Sequence, residues 1–159
     1  MDLNRHMPIF IKATVNVFKE MLDLSVSSGQ VENEGEGFIS QGFTVMVGFC
    51  GGWRGWFFLD MSQATALKLT EILIGEQYAT VAEEEVLLSG AEIGNIISGN
   101  AITGVNNSQP GLNIRLTPPS VFAGEEMSLY NVRLNAHSVI MQTEAGVIKI
   151  NVVAEEGKG

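Results

Sequence analysis

The stretch EIGNIISGNA, Glu92 to Ala101, sets one acid and two amides among isoleucines and glycines. Glu92 and Asn95 stand three residues apart, the spacing that stacks two side chains on one face of a helix. A carboxylate accepts hydrogen bonds and pairs with a cation, whereas a primary amide donates and accepts and so can hold a water molecule. An acid beside an amide is not by itself a catalytic signature. It is a small kit for recognising a cation and placing a water.

No other chemistry-bearing residue has a partner at a useful spacing. His6 and His137 are isolated, without the paired spacing of a metal site, and read as non-ligands. The one cysteine, Cys50, lies in an apolar run and reads as a small buried hydrophobe. Asp60 reads as a strand end or a cap on the following helix. Gly51, Gly52 and Gly55 form a glycine-rich segment, but a phosphate loop needs a helix after its glycines and here a strand follows. Trp53 and Trp56 flank the hairpin turn expected there and read as structural. Neither a nucleophile–base pair nor a cofactor loop is present.

The elements that must position Glu92 and Asn95 follow from pattern. Residues 8–24, PIFIKATVNVFKEMLDL, predict an amphipathic helix with Pro8 in its first turn and Ile11, Val15, Phe18 and Leu22 as its buried stripe. SVSSGQVENEGEGF predicts a polar, glycine-rich surface loop that can hold a short edge strand. FTVMVGFC and WFFLDM predict a hairpin around GGWRG. A second helix is expected from about Ser62, its N-cap, to Ile74, with Leu69, Ile72 and Leu73 on one face and Gly75 as the C-terminal glycine. A third is expected to open with a capping box, Thr80-Val81-Ala82-Glu83, and to run to about Asn107, ahead of Pro110-Gly111. Glu83, Glu84 and Glu85 then complement the positive end of the helix dipole.

Beyond Leu112 the pattern turns to strands: LNIRL, SVFAG, SLYNVRLNA, SVIMQTEA and GVIKINVV, with EEGKG as a frayed tail. The order of helix, strands, two helices and strands predicts an α+β fold, an antiparallel sheet with helices on one face. Its halves share a loose helix-then-strands plan without a direct residue repeat, and the 159 residues are read as a single domain.

On the third helix, at about 100° per residue, Leu88, Glu92, Asn95, Ile96, Gly99 and Asn106 fall within an arc of about 100°. Val86, Gly90, Ile93, Gly94, Ile97, Ala101 and Gly104 occupy the opposite side, small and apolar enough to lie close on a sheet. A glycine inside a helix costs about 1 kcal/mol relative to alanine, so Gly99 on the polar side wants a reason, and clearance for another molecule is one. Leu88 and Ile96 beside the polar pair are the apolar neighbours of a docking surface. Wheel geometry leaves two readings open: a solvated polar face and a contact site.

Composition narrows the partners. Nine basic against eighteen acidic residues give a net charge of −9, which repels phosphate backbones and makes nucleic acid a poor partner. The 45% apolar fraction suits a globular core. A single thiol builds no disulfide framework, MDLNRHMPIF lacks the plan of a signal peptide, and no run reaches the length of a membrane span. A soluble cytoplasmic protein without a membrane partner is the expectation.

At the third helix the sequence resembles the CheC/CheX/FliY family of response-regulator phosphatases, and within it the CheX branch. The pattern of that family is an acid or serine, three residues, Glu, two residues, Asn, 22 residues and Pro; here Glu92, Asn95 and Pro118 fall in register. GNA at Gly99–Ala101, the opening helix PIFIKATVNVFKEML, the hairpin through Gly55 into WFFLD, and LNIRLTPPSVFAG extend the likeness over most of the chain. One departure stands out: the leading acid or serine is Leu88, and Ser89 points about 100° away. The second helix carries no ExxN, because Ile74 sits three residues after Glu71, so one site per chain is implied.

The resemblance implies hydrolysis of the aspartyl phosphate on a CheY-like receiver domain. Asn95 would orient the attacking water, and Glu92 would pair with the receiver's active-site lysine. Leu88, Ile96, Gly99 and Pro118 would contact the partner, and the receiver would bring its own Mg²⁺. Phosphoryl transfer rests on positioning and electrostatics, so no catalytic histidine is needed. A homodimer formed through sheet edges is also implied. The competing expectation is a receiver-binding module of the same fold without catalysis, favoured by Leu88 and by the acidic charge of the chain. An unrelated metal- or nucleotide-dependent enzyme has no supporting motif.

Overall fold

The computed structural model describes residues 1–130 and 136–157. Among them are nine strands and three α-helices, preceded by a 3-10 turn at Leu3–Arg5: α1 Met7–Leu22, β1 Ser27–Gly35, β2 Gly37–Ile39, β3 Gly42–Cys50, β4 Trp53–Ser62, α2 Gln63–Ile74, α3 Glu84–Ser108, β5 Arg115–Leu116, β6 Ser120–Ala123, β7 Ser128–Tyr130, β8 Ala136–Thr143 and β9 Gly146–Glu156. The main sheet is antiparallel in the order β1-β8-β9-β4-β3, with β5 and β6 both paired to the outer side of β3. A separate pair, β2 with β7, makes a second small sheet.

Alternation along β4 explains the layers. Phe57, Leu59 and Met61 point to the face where all three helices pack, joined there by Phe10, Val17 and Phe18 of α1, Leu69 of α2 and Ile93, Ile97 and Val105 of α3. Phe58 points to the other face, where Phe38 of β2 meets it edge-on at 5.3 Å and Val153, Ala136 and Leu129 close around it. The expected α+β architecture is observed, helices on one face, with the β2–β7 pair over part of the other.

Local signals placed several ends well. Pro8 lies in the first turn of α1, Ser62 caps α2 by accepting from the Thr65 amide at 3.1 Å, and Gly75 ends α2 with φ 90°. Tertiary structure moved others. The capping box is only half formed: α3 starts after Glu83, whose carboxylate accepts from the Thr80 and Ala79 amides, while the Thr80 hydroxyl caps nothing. The edge strand expected in the polar segment after α1 is present and longer than expected: β1 runs nine residues, with its side chains exposed over most of its length. Pairing with β8 supplies a reason no apolar alternation advertised.

The hairpin turn is shorter than expected. Only Gly51 and Gly52 lie outside the strands, so Trp53 begins β4 and is buried, stacked on Phe10 and edge-on to Phe49 and His6. Burial lowers the pKa of His6, with Arg5 acting in the same direction and Asp2 opposing. The expected tail is strand as far as Glu156, and the Gly157 amide then bonds the Gly52 carbonyl at 3.0 Å. LNIRL and SVFAG shrink to the short β5 and β6. Of the expected strand SLYNVRLNA, residues 131–135 lie outside the described residues.

Stripe assignments need correction too. Ile11 and Val15 of α1 are half-buried, while Met7, Phe10, Ala13, Thr14 and Val17 join Phe18 and Leu22 inside, because α1 is covered by the sheet on one side and by α3 on the other. On α2, Leu69 is buried but Ile72 is exposed, and Thr65, Ala66 and Thr70 take the inner face. Cys50 is exposed at the end of β3, not buried. Asp60 neither ends its strand nor caps α2: it is fully buried two residues before the β4 terminus. There it accepts from the Ser40 and Thr44 hydroxyls at 2.8 and 2.6 Å and from the Gln41 amide at 3.0 Å, pinning the entry to β3.

Candidate active site

Helix α3 is held against β3 by absent side chains. A Cβ on Gly90 would meet the Phe43 ring at 2.5 Å, and one on Gly94 would meet Val45 at 2.6 Å. These two glycines, one turn apart, let the helix backbone settle onto the strand, and Val86, Ile93, Ile97 and Ala101 pack beside them. Gly104 has the Ile9 methyl at 3.0 Å from its would-be Cβ, a close approach to α1. Two serines that wheel geometry left unassigned, Ser89 and Ser98, are also buried; the Ser98 hydroxyl donates within the helix to the Gly94 carbonyl at 2.8 Å.

With that face committed, Glu92 and Asn95 are exposed together on the other. Leu88 precedes them by one turn and is 60% exposed, a large apolar side chain standing in solvent. Ile96 differs from expectation in degree, being half-buried with part of its side chain against the core. Gly99 continues the open face, and a Cβ there would meet nothing within 4 Å. Packing inside this chain therefore gives no reason for glycine at 99, in contrast with 90 and 94.

Asn106, which the wheel set on the same arc, is not part of the open face. Its amide clamps Ile114, accepting from that residue's N–H at 2.9 Å and donating to its carbonyl at 3.0 Å. This fixes the exit from α3 into β5. Pro118 is exposed in the link between β5 and β6, both of which lie against α3. The structure thus brings Leu88, Glu92, Asn95, Ile96 and Gly99 onto one helix side, and carries Pro118 on the edge segment packed beside that helix. Among the described residues, no three His, Cys, Asp or Glu side chains gather where a metal ion could be held, and no helix is long and apolar enough to cross a membrane.

The candidate site is thus an open helix face with a carboxylate, an amide and apolar shoulders, carried on an antiparallel α+β sheet. Residues 43–144, more than half of the chain, match the family model described as Chemotaxis phosphatase CheX, and the chain belongs to that family. It is 22% identical over 146 residues to the CheY-P phosphatase CheX of Thermotoga maritima, covering 92% of this chain and 86% of that protein. Among solved structures, CheX of Desulfovibrio desulfuricans superposes with a TM-score of 0.85 at 19% identity, covering 95% and 99% of the two chains. A chain of the CheX–CheY–BeF3–Mg²⁺ complex of Borrelia burgdorferi superposes with a TM-score of 0.80 at 28% identity, covering 95% and 98%.

Proposed function

We propose that this chain hydrolyses the aspartyl phosphate of a CheY-like receiver domain in chemotaxis signalling. The observation that carries the reading is the exposed Glu92–Asn95 pair, one helical turn apart beside the open space over Gly99, in a member of the CheX family. The Thermotoga relative is named for this activity, and the Borrelia relative forms a complex with CheY. Asn95 holds a water in line with the phosphorus. The water oxygen bonds to phosphorus as the bond to the aspartyl oxygen breaks, and inorganic phosphate leaves with the water's protons. Glu92 pairs with a receiver lysine and keeps the two proteins in register. The Mg²⁺ belongs to the receiver and neutralises phosphoryl charge. An acyl phosphate is activated already, so positioning suffices.

Leu88 and Ile96 give the docked receiver apolar contact on either side of the polar pair, and Pro118 meets it from the edge segment. Leu88, at the place of the family's acid or serine, favours a second reading, docking without hydrolysis. Mixing the chain with phosphorylated receiver and following phosphate release separates the two. Loss of that release in Asn95→Ala and Glu92→Ala supports the assigned site; wild-type rates in both would sink it.

The proposal extends to a cytoplasmic homodimer joined through a sheet edge. Its support is that β1 closes one side of the main sheet with no further strand beyond it among the described residues. Light scattering at micromolar concentration should return twice the 17.2 kDa chain mass; a strict monomer refutes this part.

A further inference from the structure

The pairing of β3 with the edge segment changes register at Pro118. Cys50 and Phe49 pair with Arg115 and Leu116, whereas Met46 pairs with Ser120 and Val45 with Val121. Gly48 is bonded to Thr117, so Val47 alone stands opposite both Pro118 and Pro119: the edge carries one extra residue, a β-bulge. Prolines suit such a position because they have no N–H to leave unpaired.

One residue locks the bulge to the sheet. The Thr117 amide donates to the Gly48 carbonyl at 2.9 Å, and the Gly48 amide donates to the Thr117 hydroxyl oxygen at 2.9 Å. The side chain thereby takes the hydrogen bond that a ladder carbonyl would have accepted in an unbroken strand. Gly48 leaves the room for this, since a Cβ there would meet Thr117 Oγ1 at 2.7 Å.

The lock lies level with the open helix face. Gly90 sits over Phe43 and Gly94 over Val45, so α3 runs along β3. Four helical residues advance about 6 Å and two strand residues about 6.6 Å. The next step therefore brings Val47, and with it the proline bulge, level with Ser98 and Gly99.

We propose that Thr117 is a positioning residue for partner docking: it holds the Pro118–Pro119 bulge beside the open side of α3, so that helix and bulge meet the receiver as one rigid surface. This rests on the receiver-docking reading above and adds to it a residue that touches neither partner nor phosphate.

The test compares Thr117→Val, which keeps the shape and removes the acceptor, with Thr117→Ser, which keeps the acceptor. Two readouts are taken: KM and kcat for phosphorylated receiver, and the Kd of beryllofluoride-loaded receiver. Thr117→Val should raise KM and Kd about tenfold with kcat within about twofold, and Thr117→Ser should stay near wild type. Gly48→Ala, which drives a methyl into the same oxygen, should reproduce the Thr117→Val effect and decides the matter if Thr117→Val does not fold. The inference is overturned by Kd within about twofold of wild type in the folded variants, or by serine behaving like valine. Asn95→Ala run alongside keeps the two proposals apart. Wild-type turnover in Asn95→Ala removes the catalytic reading alone, because Kd still reports on docking; a receiver that fails to bind wild-type protein removes both.

Discussion

The two faces of α3 use glycine for opposite reasons. At Gly90 and Gly94 the space for a side chain is already filled by Phe43 and Val45, so the residue is fixed by packing within the chain. At Gly99 the space is open, and the residue costs the helix stability without any internal return. One face is determined by what it touches and the other by what it leaves free. The docked receiver proposed above would account for the second, and the exposed Leu88, Glu92 and Asn95 lie on it.

That contrast can be broken most forcefully at Asn95. Asn95→Ala should lower phosphate release from a phosphorylated receiver by about 100-fold, because a misplaced water costs rate on that scale, while thermal unfolding stays within about 0.5 kcal/mol of wild type. A comparable loss of stability would mean that Asn95 belongs to the scaffold. On the inner face the pattern reverses. Gly90→Ala and Gly94→Ala should each destabilise by about 1–3 kcal/mol, read from denaturant midpoints, because the strand side chains beneath must move.

The same substitution on the outer face should have the opposite sign. Gly99→Ala should stabilise by up to about 1 kcal/mol, since the added methyl meets nothing. If it destabilises as Gly94→Ala does, the distinction between the faces is lost. The smallest effect is expected away from α3, at His6. Its folded pKa is lowered by burial beside Trp53, so the unfolded chain takes up its proton first as pH falls. Stability should be independent of this group well above about pH 6.5 and should decline below it, down to the folded pKa. Chemical denaturation from pH 7.5 to 5 should show a shallower decline in His6→Gln than in wild type; an identical slope would clear His6 of any part.

How much of this was legible in sequence varied with the range of the interaction. The ends of α2 were readable because Ser62 and Gly75 act on backbone groups within a few residues. The inner face of α3 was readable because its period follows from helix geometry. The length of β1 was not, because SSGQVENEG carries no alternation and is held as a strand through β8, about a hundred residues away. Asp60 departs from expectation for the same reason: beside Ser62 it looks like a cap, yet its partners are Ser40, Gln41 and Thr44. Ile11 and Val15 fall at the margin of the buried set because α1 meets both sheet and helix, which a single stripe does not describe.

For the candidate site, spacing alone stacked Glu92 on Asn95 and put Gly90 and Gly94 behind them, since a helix of fixed pitch leaves no choice. Sequence could not decide that Asn106, on the same arc, turns to Ile114 and leaves the open face, nor that Leu88 stands farther out than Ile96. It could not turn the 22-residue interval before Pro118 into a place, because that interval spans a helix end, a loop and a strand whose relation is set by pairing with β3. Periodicity along one element is a local property of the backbone. The bulge beside it exists only once the edge segment, the strand and the helix are brought together.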